Sequence, residues 1–184
     1  MIKTIFNLRI AFANSIKRPE IYRKYLHVKI GENCRFTGNI HFGSEPFLIS
    51  IGNHVTLAHN VTFHTHDGGV WVFREKYPNI NIYGKILVGN NVFIGSNVII
   101  LPNVIIGDNV VVGAGSVVTK SVESNTVVVG NPARKVRILD DYEKKVLKNA
   151  IFLDSKNIMK ESNKIIEHLN NKDFEQNING KKEI

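Results

Sequence analysis

His64-Thr65-His66-Asp67 is the stretch of this 184-residue chain best equipped for proton chemistry. A neutral imidazole is the side chain that accepts a proton most readily near pH 7. The two histidines open an interruption, His64 to Ile80, that also carries Gly68, Gly69, Trp71, Arg74, Tyr77 and Pro78. Segments that leave a regular chain at one level commonly carry function. A metal offers a different use, because His59 and His64 stand five residues apart. Tetrahedral zinc would need a third protein ligand, however, and His27 and His41 fall at no matching spacing while His54 is too near. Cys34 is the single cysteine, so the chain has no disulfide framework and a reducing compartment is acceptable.

The interruption is visible because the chain around it keeps strict time. Residues 87–122 read LVGNNV, FIGSNV, IILPNV, IIGDNV, VVGAGS, VVTKSV. Val88, Ile94, Ile100, Ile106, Val112 and Val118 hold one position of the phrase, a glycine usually follows, and Val92, Val98, Val104, Val110 and Val122 close the unit. No helix has a six-residue period. Short strands joined by corners do, and three phrases make one triangular coil whose inward aliphatics stack as a column. Asn90, Asn97, Asn103 and Asn109 fall at the corners, where Asn and Gly tolerate tight or left-handed backbone. The predicted fold is an all-β solenoid, a parallel β-helix.

The beat begins at Ile30-Gly31 and runs through Cys34, Phe36 and Phe42. Ile51, Leu57 and Phe63 are out of phase with that group, so a small insertion is expected within Gly43–Ser50, which contains Glu45. Ile82 and Ile86 restore the main register after the histidine loop. A last strand is predicted at Thr126–Val129, followed by Gly130-Asn131-Pro132-Ala133-Arg134.

Residues 1–29 put Ile2, Ile5, Phe6, Leu8, Phe12 and Ile16 at helical spacing, with Pro19 interrupting, which predicts one or two amphipathic helices. They either cap the open end of the solenoid or, through residues 1–26, dock on an anionic membrane surface. The chain's net charge of +8 is uneven: residues 1–30 hold seven Lys and Arg against Glu20, a surplus of +6. No nucleic-acid motif accompanies it, so nucleic acid is not an expected partner. Residues 138–184 read as helical and charged, with one helix from Asp140, a second around Ile158–Leu169 and a frayed tail over 171–184. No run is apolar enough to span a bilayer and no signal peptide is apparent, so a cytoplasmic protein is expected, either free or in contact with the inner membrane face.

Residues 30–137 resemble the hexapeptide-repeat acyltransferases. The motifs that carry the resemblance are Val-Phe-Ile-Gly-Ser at 92–96, Ile-Gly-Asp-Asn at 106–109, Gly-Ala-Gly-Ser-Val-Val-Thr-Lys at 113–120 and Gly-Asn-Pro-Ala-Arg at 130–134. Their order and spacing are similar to those of the galactoside, maltose and streptogramin acetyltransferase branch, with Phe93 standing where that branch commonly has Trp. The resemblance implies a left-handed β-helix, a homotrimer with active sites between subunits, and acetyl-CoA as co-substrate with no metal. In that branch the catalytic histidine follows an Asn-Val-Thr phrase. Asn60-Val61-Thr62 leads here to His64 and His66, and the Thr-x-His-Asp context favours His66 as general base. The resemblance further implies coenzyme contacts from Ser96, Ala114, Thr119 and Lys120, with Arg134 and Arg137 near the adenosine phosphates, where positive charge suits an anionic cofactor. Glu45 corresponds to an acidic residue that meets the acceptor.

The short histidine loop and the basic N-terminal segment are similar to acetyltransferases of surface-polysaccharide biosynthesis. A sugar acceptor is therefore expected, with Trp71 stacking on a sugar face and Arg74 or Asp67 fixing hydroxyls. Streptogramin-type drug acetylation is the second expectation. A γ-carbonic-anhydrase-like zinc enzyme using His59 and His64 is the third.

Overall fold

In the computed structural model, residues 2–154 and 157–170 are described. The chain divides into two compact units, Met1–Tyr142 and Glu143–Ile184. The boundary predicted at 137/138 instead falls within a strand, and the predicted fraying of 171–184 lies outside the described residues.

The first unit is built coil by coil. Coil one comprises β1 (Lys29–Ile30), β2 (Arg35–Phe36) and β3 (Ile40–His41). Coil two comprises β4 (Ile49–Ile51), β5 (Val55–Leu57) and β6 (Val61–Phe63), and coil three β7 (Ile86–Val88), β8 (Val92–Ile94) and β9 (Ile99–Ile100). Coil four, β10 (Ile105–Ile106), β11 (Val110–Val112) and β12 (Val117–Val118), is followed by β13 (Thr126–Val129). Each strand pairs in parallel with its counterpart one coil away, giving three sheets that form the sides of a parallel β-helix. Alternate residues point inward, so Ile51, Leu57, Ile94, Ile100, Ile106 and Val112 stack as the expected buried column. Near the first coil the column turns aromatic, with Phe42 and Phe63 stacked at 5.3 Å between ring centroids.

The corners work differently from the sequence expectation. Asn91, Asn97, Asn103 and Asn109 hold left-handed backbone, with φ between 53° and 63°, and Asn90 does not. Asn90 instead belongs to a ladder running up one corner. The side-chain oxygens of Asn53, Asn90, Asp108 and Ser124 accept from the backbone N–H of Glu32, Asn53, Asn90 and Asp108, each in the neighbouring coil. Asn90 is one residue ahead of the bend because its job is to reach across coils.

The same ladder explains the glycine after each inward aliphatic. Gly89 lacks positive φ; a Cβ there would lie 2.5 Å from Asp108 Oδ1 and 2.8 Å from the Gly107 carbonyl carbon. The glycine is required by close approach of the next coil.

Ladder spacings measure the two interruptions. Regular coils repeat at 18 residues, whereas Glu32 to Asn53 spans 21 and Asn53 to Asn90 spans 37. The expected insertion at 43–50 is thus three residues beyond the repeat and contains a 3₁₀ turn, Pro46–Leu48. The second is the histidine loop.

Each end carries an added element. The helices α1 (Ile2–Phe12) and α2 (Arg18–Leu26) sit over coil one, with Pro19 in the first turn of α2 and left-handed His27 ending it. Tyr22 is buried against Phe36, Phe42 and Phe6, and its hydroxyl accepts from the Ile40 N–H at 3.4 Å. Side chains of both helices thus pack onto the first coil. At the other end β13 turns back into β14 (Arg134–Ile138), which pairs antiparallel with it, an element the sequence reading did not contain. Helix α3 (Leu139–Leu147) follows. In the second unit a 3₁₀ turn, Ile158–Glu161, leads into α4 (Ser162–Asn170), in agreement with the predicted helix there.

Replacing Gly89 by Ala should destabilise the protein by ~1–3 kcal/mol, because neither backbone nor ladder can yield without breaking register. Urea denaturation followed by circular dichroism measures this. An unchanged midpoint would mean that the corner opens without cost.

Candidate active site

The two interruptions meet. Glu45, at the start of the first, and Thr65-His66, at the start of the second, are neighbours because three residues of insertion carry the chain outward at the same corner where β6 ends one coil later. Glu45 Oε2 accepts from His66 Nδ1 at 2.8 Å and from the Thr65 hydroxyl at 2.7 Å. Thr65 is fully buried, whereas the His66 side chain keeps 40% of its surface and Glu45 17%. The donor hydroxyl is thus locked, and the ring it helps to orient faces open space.

The loop base is fastened on both sides. Gly84 N–H donates to Thr65 O at 2.8 Å, Asp67 N–H donates to Ile82 O at 3.1 Å, and His66 forms an antiparallel bridge with Tyr83. The Tyr83 ring stands edge-on to the imidazole, with centroids 6.4 Å apart. Asp67 caps the 3₁₀ segment Gly68–Phe73, its Oδ1 accepting from Gly69 N–H. Beyond that segment Arg74 lies over the Trp71 ring at 5.3 Å and donates to Asn81 Oδ1 at 3.3 Å. Together these side chains line a cavity of about 290 Å³ with Glu45 and His66 at its wall, completed by Gly68, Val70 and Ile82.

Electrostatics fixes the tautomer. The hydrogen bond from His66 is the largest influence on the Glu45 carboxyl, and with the Thr65 hydroxyl it holds that group below its ordinary value of 4.5 against the opposing effect of burial. An ionised Glu45 keeps the proton on Nδ1 and leaves the Nε2 lone pair available to remove a proton from a ligand in the cavity.

Of the residues singled out in the sequence, His66, Asp67, Trp71, Arg74 and Glu45 come together here. His64 does not: it is exposed, outside the cavity lining, and held by its backbone N–H to Ile100 O. Thr65, Asn81 and Tyr83 were missed. Thr65 carried a signal, a polar residue at an inward-alternating position between two histidines, whereas Tyr83 and Asn81 join only through loop closure. Among the described residues of the single chain no three His, Cys, Asp or Glu side chains converge on a metal-sized site.

A second groove, of about 430 Å³, lies where the last coil turns back. Lys120 and Arg134 line it with Ser121, Glu123, Thr126, Ala133 and Lys135. Ser96 and Ala114 are on adjoining coils, where Gly115 N–H donates to Ser96 O at 2.8 Å, and Thr119 precedes Lys120 on the exposed surface. Arg137 sits on β14 opposite Val127, outside the groove lining. Lys135, 3.7 Å from Glu123, is a further basic group that the sequence reading passed over.

Residues 85–120 match the family described as bacterial transferase hexapeptide (six repeats). Protein CapG of Staphylococcus aureus is 53% identical over 127 residues, 68% of this chain and 74% of that protein. Among solved structures, a maltose O-acetyltransferase from Clostridium difficile 630 is 32% identical with a TM-score of 0.60, over 75% of this chain and 84% of the other. The hexapeptide-repeat-containing acetyltransferase VCA0836 from Vibrio cholerae O1 biovar eltor, complexed with acetyl-CoA, is 26% identical with a TM-score of 0.62, over 75% and 85%. The chain therefore belongs to the bacterial hexapeptide-repeat transferases, and its coil is the left-handed β-helix of that family. Within the family it is an acetyltransferase.

Because the Glu45 value is lowered on folding, its contribution to stability is complete above pH 4.5 and is lost as pH falls below that value through the lowered one. Wild type and Glu45→Gln should differ in thermal midpoint at neutral pH and converge as the solution is acidified through that range. A difference independent of pH would locate the stabilisation elsewhere.

Proposed function

We propose that this protein moves the acetyl group of acetyl-CoA to a hydroxyl of a sugar in surface-polysaccharide biosynthesis, with His66 as general base. The observation that carries the reading is the Thr65–Glu45–His66 arrangement at the wall of a cavity that also holds Trp71, Arg74 and Tyr83. An aromatic ring beside polar groups suits a sugar, whose ring offers an apolar face and a hydroxyl edge. The maltose O-acetyltransferase likeness supports a sugar hydroxyl as acceptor.

The reaction needs one proton carrier. His66 Nε2 takes the acceptor hydroxyl proton as the oxygen bonds to the thioester carbonyl carbon. The tetrahedral oxyanion collapses with cleavage of the C–S bond, and the imidazolium returns its proton to the departing thiolate. Glu45 holds the ring through Nδ1 and stabilises its charged form, and Thr65 holds Glu45. Asp67 and Arg74 are assigned to acceptor hydroxyls and Trp71 to the sugar face. No covalent acyl-enzyme is required, and His64 is left without a role in proton transfer.

For the donor, Lys120 and Arg134 in the basic groove are assigned to coenzyme A phosphates, and Ser96, Ala114 and Thr119 to the pantetheine arm. Arg137 is assigned to the same phosphates from the flank of the groove. The acetyl-CoA complex of VCA0836 supports the co-substrate. The active unit is a homotrimer with sites between subunits. Outward Leu87 and Ile105, paired on one sheet, and Phe93 on the next are apolar side chains that a lone subunit leaves in water. The reaction is placed in the cytoplasm, where acetyl-CoA is made; no helix among the described residues is long and apolar enough to cross a membrane.

Acetyl-CoA-dependent thiol release, screened against nucleotide sugars, polysaccharide repeats and streptogramins, tests the acceptor class, and turnover with streptogramins alone would overturn it. His66→Ala should lower turnover on the order of 10²–10⁴-fold while keeping acetyl-CoA binding and oligomeric mass. Near-normal turnover would remove His66 from the mechanism. Lys120→Glu should weaken coenzyme A binding about tenfold or more by calorimetry, and unchanged affinity would reject its assignment to the phosphates.

A further inference from the structure

Helix α1 has two apolar faces, and the solenoid uses one. Phe6 and Ile10, four residues apart, turn toward the core, where Ile10 is buried and Phe6 meets Tyr22 and Tyr25. On the opposite side Ile5, Leu8 and Phe12 follow the i, i+3, i+7 spacing of a second stripe. Their exposures are 41%, 61% and 85%, and Ile16 in the next turn adds another at 62%. A cap needs only its inner face to be apolar, so capping leaves this stripe unexplained.

Charge identifies what covers it. Arg9, on α1, Lys17, in the turn after it, and Lys24, on α2, are all exposed, and Arg9 and Lys24 both lie over the Tyr25 ring, at 5.8 and 5.9 Å. Residues 1–30 carry their surplus of +6 with Glu20 as the single acid. Two copies meeting through this face would press like charges together. An anionic surface would neutralise them.

We propose that the outer face of α1 docks on an anionic lipid surface, with Ile5, Leu8, Phe12 and Ile16 entering the headgroup–acyl boundary and the flanking Lys and Arg paired with lipid phosphates. A convex ridge one helix wide suits a deformable interface, and long basic side chains can reach the phosphate level while their stems stay apolar. Because α2 lies on the first coil and α1 packs on α2, the ridge is the outermost layer of that end of the solenoid. The inference is independent of the acceptor assigned above.

Full-length protein is co-sedimented with vesicles of phosphatidylcholine alone and of phosphatidylcholine mixed with phosphatidylglycerol. Wild type should pellet with the mixed vesicles at low salt, remain free of the neutral ones, and release at ~0.5 M NaCl, where screening is short-ranged. Leu8→Glu/Phe12→Glu should lower vesicle affinity by about tenfold or more, with thermal midpoint and acetyl-CoA turnover retained. A Phe12→Trp variant should be quenched by brominated lipid. Failure of wild type to bind, undiminished binding by the double variant, or absence of quenching would each overturn the proposal. A change in oligomeric mass of the double variant would do so as well, by assigning the stripe to a second copy of the chain.

Discussion

The constraint on which everything else depends is that each coil must land on the one below it without slipping, and one corner enforces this. Main-chain pairing alone tolerates sliding, because parallel strands of two or three residues offer few bonds to lose. The Asn53, Asn90, Asp108 and Ser124 side chains remove that freedom by bonding specific N–H groups in the neighbouring coil. Each rung requires a glycine-sized gap, as at Gly52 and Gly89, so aliphatic column, glycine and carboxamide form one device. The inward column of Ile and Val then follows as a consequence of register.

Chemistry is added where this device is left and regained. The histidine loop departs after β6 and returns at β7, and the ladder absorbs it as a span of 37 residues with no change in pairing. Its ends are tied by the Thr65–Gly84 and Asp67–Ile82 backbone bonds, so His66 stays on a fastened base whatever the middle of the loop does. Glu45 comes from the other interruption. Two irregularities far apart in the chain thus become one site because they occur at the same corner in successive coils, and the buried Thr65 hydroxyl joins them.

How much of this could be read from sequence follows from the range of each interaction. The column was legible because its period is local and repeats, and the breaks at 43–50 and 64–80 were legible as departures from it. The pairing of Glu45 with His66 was not, since only the closed coil brings them together; the sequence suggested acceptor contact for Glu45, and the structure adds a bond to the imidazole from the same cavity wall. Asn90 was assigned to the bend that belongs to Asn91, because adjacent asparagines look alike until one is seen to bond across coils. Strand β14 left no trace, its residues being mostly exposed and basic, with its pairing supplied by β13. For the N-terminal segment the sequence offered cap or membrane contact as alternatives, and the two faces of α1 make them compatible.

Strand β14 also changes what one side of the solenoid offers to a further coil. A stack of identical parallel coils has no intrinsic end: its last rung presents the same unpaired edge as every rung before it, and another chain could continue the pattern. By running backward along β13, the terminal strand presents an edge of the wrong polarity to any incoming coil, and its exposed Arg134 and Lys135 discourage apposition further. On that one of the three sides the stack is closed to a further parallel coil by five residues.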